Sequence, residues 1–266
     1  MKAALTSELR KWLSTRLWWV LLLVMAAYMA FLAVVMAFSV TIDPGDAGAG
    51  ATVLQGTDAA LTVYTLGNAL GYVFPLLAGA IAMTSEFRYQ TITPALLADP
   101  RRSVFLGAKL LSATVIGLAF GLVGTLSSVA AGAPILAWRG DGAYLGSGDV
   151  LVPVALSVVA LAIWAFVGVG VGTLITNQVA AIVVVLAFTQ FVEPIVRLGL
   201  SAVDALEGVA KFLPGAASEA LVGASTYASL GMSDLLGRVP GALVFLAYGL
   251  LLALVGRFTT LRRDIT

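Results

Sequence analysis

The densest grouping of side chains able to do specific work lies between two long apolar stretches: Thr84-Ser85-Glu86-Phe87-Arg88-Tyr89-Gln90-Thr91-Ile92-Thr93-Pro94-Ala95-Leu96-Leu97-Ala98-Asp99-Pro100-Arg101-Arg102. Two carboxylates, three guanidinium groups, hydroxyls and a cluster of apolar side chains can recognise a surface. They are poorly equipped to break a bond. The chain has no cysteine and no histidine, which removes thiolate nucleophiles, disulfides, Cys/His metal sites and imidazole acid–base chemistry. Thr93 as N-cap with Pro94 at the first helical position predicts a short helix, and Asp99-Pro100 predicts its end. That helix carries Leu96 and Leu97 beside Phe87, Tyr89 and Ile92. Apolar groups on a charged loop mark either a partner site or a lipid interface held by arginines to anionic headgroups. The residues alone leave both open.

Composition says what must position this loop. Apolar residues make up 60% of the 266, charged residues 11%, and mean hydropathy is +1.02. Soluble domains carry roughly 45–50% apolar residues, so the chain is expected to be an all-α integral membrane protein with no nucleic-acid partner. Charge-free runs cover Leu17–Ile42, Ala59–Ser85, Leu110–Trp138, Val150–Val192 and Val239–Gly256. A helix crossing the hydrocarbon core needs about 20 residues. The run from 150 to 192 therefore folds back on itself, and Thr176-Asn177-Gln178 is the polar cluster at which it can turn. Six spans result, at about 17–40, 62–84, 108–132, 151–174, 179–196 and 239–257, in a single transmembrane domain over 1–266. The stretch 17–40 is too long for the apolar core of a secretory signal and lacks a small-residue cleavage site, so it is retained as a span.

Lysine and arginine set the orientation. One side collects Lys2, Arg10, Lys11, Arg16, Arg88, Arg101, Arg102, Lys109, Arg257, Arg262 and Arg263; the other has Arg139, Arg197, Lys211 and Arg238. Both termini are expected to be cytoplasmic, which requires an even number of spans. Residues 4–16 place Leu5, Leu9, Trp12 and Leu13 on one helical face, the pattern of an interfacial helix, and Trp12, Trp18 and Trp19 fit an aromatic belt. The Gly-rich outer loops, 41–58 and 134–149, are too short for domains.

After the fifth span, Glu193-Pro194 is expected to break the helix. Arg197, Asp204, Glu207 and Lys211 then fall within one arc of a helical wheel. A charged stripe on an apolar helix predicts a re-entrant or interfacial outer segment over about 194–222, in which Leu213-Pro214-Gly215 punctuates the helical stretch 195–213. Gly67, Gly71, Gly117, Gly121, Gly168 and Gly172 form three small-xxx-small pairs that permit close helix contact. Tyr64, Asn68 and Tyr72 make a polar stripe at i, i+4, i+8 on the second span. They are candidate translocation-path residues, although interhelical hydrogen bonding is the more ordinary use of such a stripe; Thr189 and Gln190 are read the same way.

Glu-Phe-Arg-x-x-Thr-Ile, then Leu-Leu, then Pro-Arg-Arg and a lysine opening the next span resembles the membrane subunit of ABC-2 type ABC exporters. The resemblance rests by motif on residues 84–109 and by architecture on the whole chain. It implies an amphipathic connecting helix, six spans with both ends inside, and short re-entrant helices between spans five and six. It also implies that the loop at about 85–106 is a coupling helix docking on separate P-loop ATPase subunits. Carried over residue by residue, Glu86, Phe87, Arg88, Thr91, Ile92, Leu96 and Leu97 form the coupling surface, with Arg101 and Arg102 at its edge; Thr176-Asn177-Gln178 would add a smaller contact at most. The bundle would pair with a second copy or paralogue, in the plasma membrane of a bacterium. ATP and Mg2+ would be bound by the partner, and no cofactor or metal by this chain.

The remaining chemistry agrees with that expectation. Gly107-Ala108-Lys109 lacks the rest of a GxxxxGK[ST] phosphate loop, so the chain is not expected to be an enzyme or to hydrolyse ATP itself. Gly146-Ser147-Gly148-Asp149 matches the GxGD pattern of aspartyl intramembrane proteases, but it sits in an outer Gly-rich loop with no second intramembrane aspartate. Ion-driven carriers generally keep a carboxylate within the membrane despite its cost. No charge-free run contains one, and Glu193 stands at the outer end with Arg197 one turn on. A secondary transporter, an ion-independent channel or a non-catalytic scaffold remain as rivals.

Overall fold

The computed structural model describes residues 2–42, 54–201, 207–225 and 235–262. Those residues are helical, with no strand among them. In chain order the helices are α1 (Lys2–Ser14), α2 (Leu17–Val40), α3 (Gly56–Arg88), α4 (Ile92–Ala98), α5 (Arg102–Arg139), α6 (Gly148–Leu174), α7 (Gln178–Leu200), α8 (Glu207–Ala210), α9 (Pro214–Val222) and α10 (Arg238–Thr259). Six of them, α2, α3, α5, α6, α7 and α10, are long and apolar enough to cross a membrane. The chain is a multi-pass membrane protein in that sense. The reversal within the long charge-free run falls at 175–177, where the Asn177 side chain accepts from the Ala180 N–H and caps α7.

Helix α6 is the axis of the bundle, packed on α3, α5 and α10. Its glycines explain how. A Cβ on Gly168 would run into the Leu76 carbonyl of α3, and one on Gly79 of α3 would run into the Ala165 carbonyl of α6. The backbones of α3 and α6 are thus in contact, which only glycine permits at both positions. Gly117 and Gly121 of α5 lie equally close to Ala162 and Val158 of α6. On α2, Met25, Met29, Ala33 and Ala37 form a fully buried stripe at i, i+4 spacing, while Leu23 and Phe31 are exposed toward the surroundings.

Several boundaries differ from the sequence-based expectation. Helix α5 has 38 residues and passes through Pro134, so the loop expected from 134 is reduced to residues 140–147. The helix does not stop at Glu193-Pro194. A π-turn at Phe188–Val192 precedes Pro194, and this wider turn relieves the clash and the lost hydrogen bond that a proline imposes on the preceding turn. A second π-turn, Gly67–Gly71, stands ahead of Pro75 in α3. Residues 194–200 therefore continue α7, and α9 is a separate helix in which all nine residues are buried. Much of the expected 41–58 loop, and Asp204 of the charged stripe, lie outside the described residues. Arg197 does not face outward with that stripe; it is buried against Glu193 and Glu219.

Candidate functional site

One end of the bundle gathers α1, the α3–α4–α5 connection, the 175–177 reversal and the end of α10. Arg88 Nη1 donates to Gln178 Oε1 at 3.1 Å, and an Arg102 guanidinium nitrogen donates to the Leu261 carbonyl. This basic end carries every described Lys and Arg of the chain except Arg139, Arg197, Lys211 and Arg238.

The α3–α4 connection follows from local backbone chemistry. Helix α3 ends in a Schellman motif: the Thr91 N–H donates to the Glu86 carbonyl at 3.0 Å and the Gln90 N–H to the Phe87 carbonyl at 3.3 Å. Gln90 occupies the left-handed position that motif requires, with φ 54°. A non-glycine residue there costs roughly 1–2 kcal/mol. Gln90→Gly should therefore raise the melting temperature of the purified protein, by the equivalent of about 1 kcal/mol. An unchanged or lowered midpoint would show that Gln90 is not strained. The N-cap of α4 is Thr91, not Thr93. Pro94 thus sits at the third helical position, and it is tolerated because none of the first N–H groups of a helix has an intrahelical partner.

Behind this connection lies a closed ion network. Lys109 of α5 reaches Glu86 Oε1 at 2.6 Å, Glu8 Oε2 at 2.5 Å and the Ala82 carbonyl at 3.0 Å. Lys11 of α1 binds Glu86 Oε1 at 2.7 Å and Glu8 Oε1 at 2.8 Å. Thr91 Oγ1 donates to Glu86 Oε2 at 2.6 Å. Glu86 and Lys109 are each 2% exposed. Two carboxylates and two ammonium groups balance, so α1, α3 and α5 are joined at one neutral node, buried at Glu86 and Lys109 and open to the surface at Lys11 and at Thr91, the N-cap residue of α4. Lys11 is half-buried; burial opposes its charge, but the hydrogen bonds to Glu8 and Glu86 outweigh that and hold it above the ordinary value of 10.5. Its stabilising contribution is therefore present below about pH 10.5 and fades only as pH rises through the raised value. Beside the node, a cleft of about 590 Å³ opens between α1, α3 and α7, flanked by Lys11, Arg16 and Arg88.

The nine loop residues divide into two groups. Glu86 and Ile92 are buried, and Phe87 and Leu96 pack partly against the core beneath α4, formed by Met83, Phe105 and Leu106. Arg102 is half-buried through its bond to Leu261. Arg88, Thr91, Leu97 and Arg101 are exposed, Leu97 by 81%, as is Tyr89 by 66%. Arg101 donates through Nε and Nη2 to Asp99 at 2.9 and 2.8 Å, and these bonds hold the Asp99 carboxyl at about 2. The outward face is thus an apolar knob, Leu97, among arginines and Tyr89. Sequence reasoning gave neither Glu8 nor Lys109 an ionic role. The available signal was a lysine at the mouth of an apolar span, two turns beyond Arg102, where burial requires a counter-ion.

The Tyr64–Asn68–Tyr72 stripe is not gathered into one open path. Tyr64 donates to the Ala143 carbonyl at 2.8 Å. Asn68 Oδ1 accepts from Ser218 of α9 at 2.6 Å, and Ser218 accepts from Trp164 Nε1 at 3.0 Å. Tyr72 donates to the Thr189 carbonyl at 3.2 Å and stacks on Trp164 at 4.4 Å. Asn68 and Tyr72 line a cavity of about 150 Å³ with Thr189, Gln190, Glu193 and Glu219. That cavity, at the other half of the bundle, adjoins a buried carboxylate–guanidinium–carboxylate set that sequence reading placed at a membrane edge.

The chain matches no family model and no curated protein. Its functional reading therefore rests on the site itself. Among the described residues no three His, Cys, Asp or Glu side chains converge as a metal site. Lys109, the one residue that could have suggested a phosphate loop, lies inside α5 and is committed to Glu8 and Glu86.

Proposed function

We propose that the chain is the membrane-spanning subunit of an ATP-driven exporter of the ABC-2 type. Its basic end lies in the cytoplasm with both termini, in a bacterial plasma membrane, and α4 is the coupling helix. The observation that carries this reading is the pairing of an exposed apolar knob, Leu97, with a buried ion node directly behind it. A push on α4 by a P-loop ATPase subunit would be passed through Thr91 to Glu86 and Lys109, and so to the long helices α3 and α5, rather than being absorbed by a soft loop. Export is then a shift between two packings of a dimer of this chain, or of this chain with a paralogue, driven by nucleotide turnover in the partner. ATP and Mg2+ belong to that partner. On this reading α1 lies in the inner interface, and α9 with the end of α7 dips into the outer leaflet.

The loop residues that face outward are Arg88, Thr91, Leu97 and Arg101. Because Leu97 supports nothing in the bundle, Leu97→Asp should leave folding intact while reducing co-purification of the ATPase subunit and export by about tenfold or more. Leu97→Met is expected to keep both. Undiminished capture and export by a correctly folded Leu97→Asp chain would overturn the assignment of α4.

A second reading, ion-coupled transport, is favoured by one specific observation: Glu193, Arg197 and Glu219 are buried between α7 and α9, where sequence reasoning expected no interior charge. Transport by the purified chain alone in vesicles, driven by an ion gradient without nucleotide, would select it.

A further inference from the structure

The buried set at the far half of the bundle is electrically unbalanced. Arg197 Nη1 donates to both oxygens of Glu219 at 3.0 Å, and Arg197 Nη2 to Glu193 Oε1 at 3.2 Å. Glu193 Oε1 also accepts from the Gly215 N–H at 2.6 Å, and Ser225 donates to Glu219 Oε2. Two carboxylates thus share one guanidinium. Arg197 makes the only ion pairs to either glutamate among the described residues. The other basic residues of this half make no ion pair with either glutamate among the described residues: Arg139 lies over the Phe38 ring, Lys211 over the Phe212 ring, and the Arg238 guanidinium beside Gly223. The neighbouring stretches 202–206 and 226–234 contain no lysine or arginine, so they hold no cation to balance it.

The imbalance has a location. Glu193 is 3% exposed, and its second oxygen, Oε2, has no hydrogen-bond partner among the described residues. Glu193 lines the 150 Å³ cavity, whose other polar walls are Asn68, Tyr72, Thr189, Gln190, Arg197 and Glu219. At about 30 Å³ per water, that space equals roughly five waters. It adjoins a point roughly 22 Å along α7 from Gln178, well within the length needed to cross a bilayer. A carboxylate oxygen buried there without a partner is satisfied either by a proton of its own or by a positive group that faces it, and the adjoining cavity leaves room for the second.

We propose that this cavity binds a small organic cation of the primary ammonium class, with Glu193 as its counter-ion. Glu193 Oε2 takes one N–H of the ammonium, and the free acceptor capacity of Asn68 Oδ1 and the Gln190 side-chain carbonyl take the other two. Three donors on one compact charge match three acceptors around one small space. A quaternary ammonium offers no N–H to these acceptors. A divalent metal is a poor fit because the guanidinium already occupies the space between the carboxylates. The site does not depend on what powers the bundle, and it holds whether or not an ATPase docks on α4.

Trp164 supplies the readout, because its indole N–H is bonded through Ser218 to Asn68 and its ring is stacked on Tyr72. The purified full chain in detergent, at neutral pH and constant ionic strength, is titrated with methylammonium chloride and followed by tryptophan emission. A saturable change is expected, absent with tetramethylammonium and abolished by Trp164→Phe. Glu193→Gln should weaken methylammonium binding about tenfold or more. Gln190→Glu, which adds a second carboxylate at the cavity and does not depend on Glu193→Gln folding, should tighten it several-fold. The proposal is overturned by the lack of any saturable response in the wild-type chain. It is equally overturned by a response that tetramethylammonium reproduces, or by one that Gln190→Glu leaves unchanged.

Discussion

Lys109→Met should destabilise the folded chain by about 3–5 kcal/mol, the cost of leaving buried charges without their partner. Methionine keeps the apolar stem of the side chain and its packing and lacks only the terminal ammonium, so the effect is dominated by the charge. Without the ammonium, Glu8 and Glu86 retain only Lys11, which is partly exposed and offers one charge for two carboxylates. The melting temperature in detergent should fall sharply, and α1 should become accessible to protease as its anchor on α5 is lost. Adding Glu86→Gln to Lys109→Met should recover a large part of the loss, because the uncompensated carboxylate rather than the missing lysine is what costs stability. A Lys109→Met chain that melts with the wild type would show that the node is surface decoration.

The comparison of sequence with structure has a physical pattern. The six long helices and their reversal at 175–177 were legible because a bilayer imposes a length of apolar chain, and composition records that length directly. The helix ends were not, since a helix does not stop where hydrocarbon does. In α5, residues 102–109 at one end and Arg139 at the other extend the helix beyond the apolar stretch. Prolines misled twice. Pro194 reads as a stop, yet the π-turn ahead of it lets α7 continue; Pro94 reads as the first residue of α4, yet it is the third. In both cases the residue tolerates more than one position, and only the neighbouring backbone decides. The nine loop residues could be located but not sorted, because which of Leu96 and Leu97 faces the bundle depends on where the helix begins. The ion pairs were invisible for a different reason. Glu8 and Lys109 are about a hundred residues apart, and Glu219 lies 22 residues beyond Arg197. Periodicity could place Arg197 on a helical face but could not say that a carboxylate from a buried helix would be waiting for it.

Arg197→Leu should be the most damaging single change in the far half of the bundle, by about 3–5 kcal/mol or more. The guanidinium joins α7 to α9, and α9 in turn is wedged against α6 and α10. Its removal leaves two carboxylates buried together, with no cation paired to either among the described residues and with mutual repulsion added to the desolvation cost. Arg197→Lys should be intermediate. It restores the charge, but a single ammonium cannot reproduce the fork that places one nitrogen on both Glu219 oxygens and the other on Glu193. Thermal melting of the three chains should therefore order as wild type, then Lys, then Leu. Neutralising the carboxylates in the Leu background, with Glu193→Gln and Glu219→Gln together, should return most of the lost stability, because the fold requires balance at this point more than it requires ions. If the Leu chain melts as the wild type does, Arg197 is not the charge that holds α9 in place. If the triple variant melts no higher than Arg197→Leu alone, the loss comes from the packing of the arginine stem, and the electrostatic account of this half of the bundle fails.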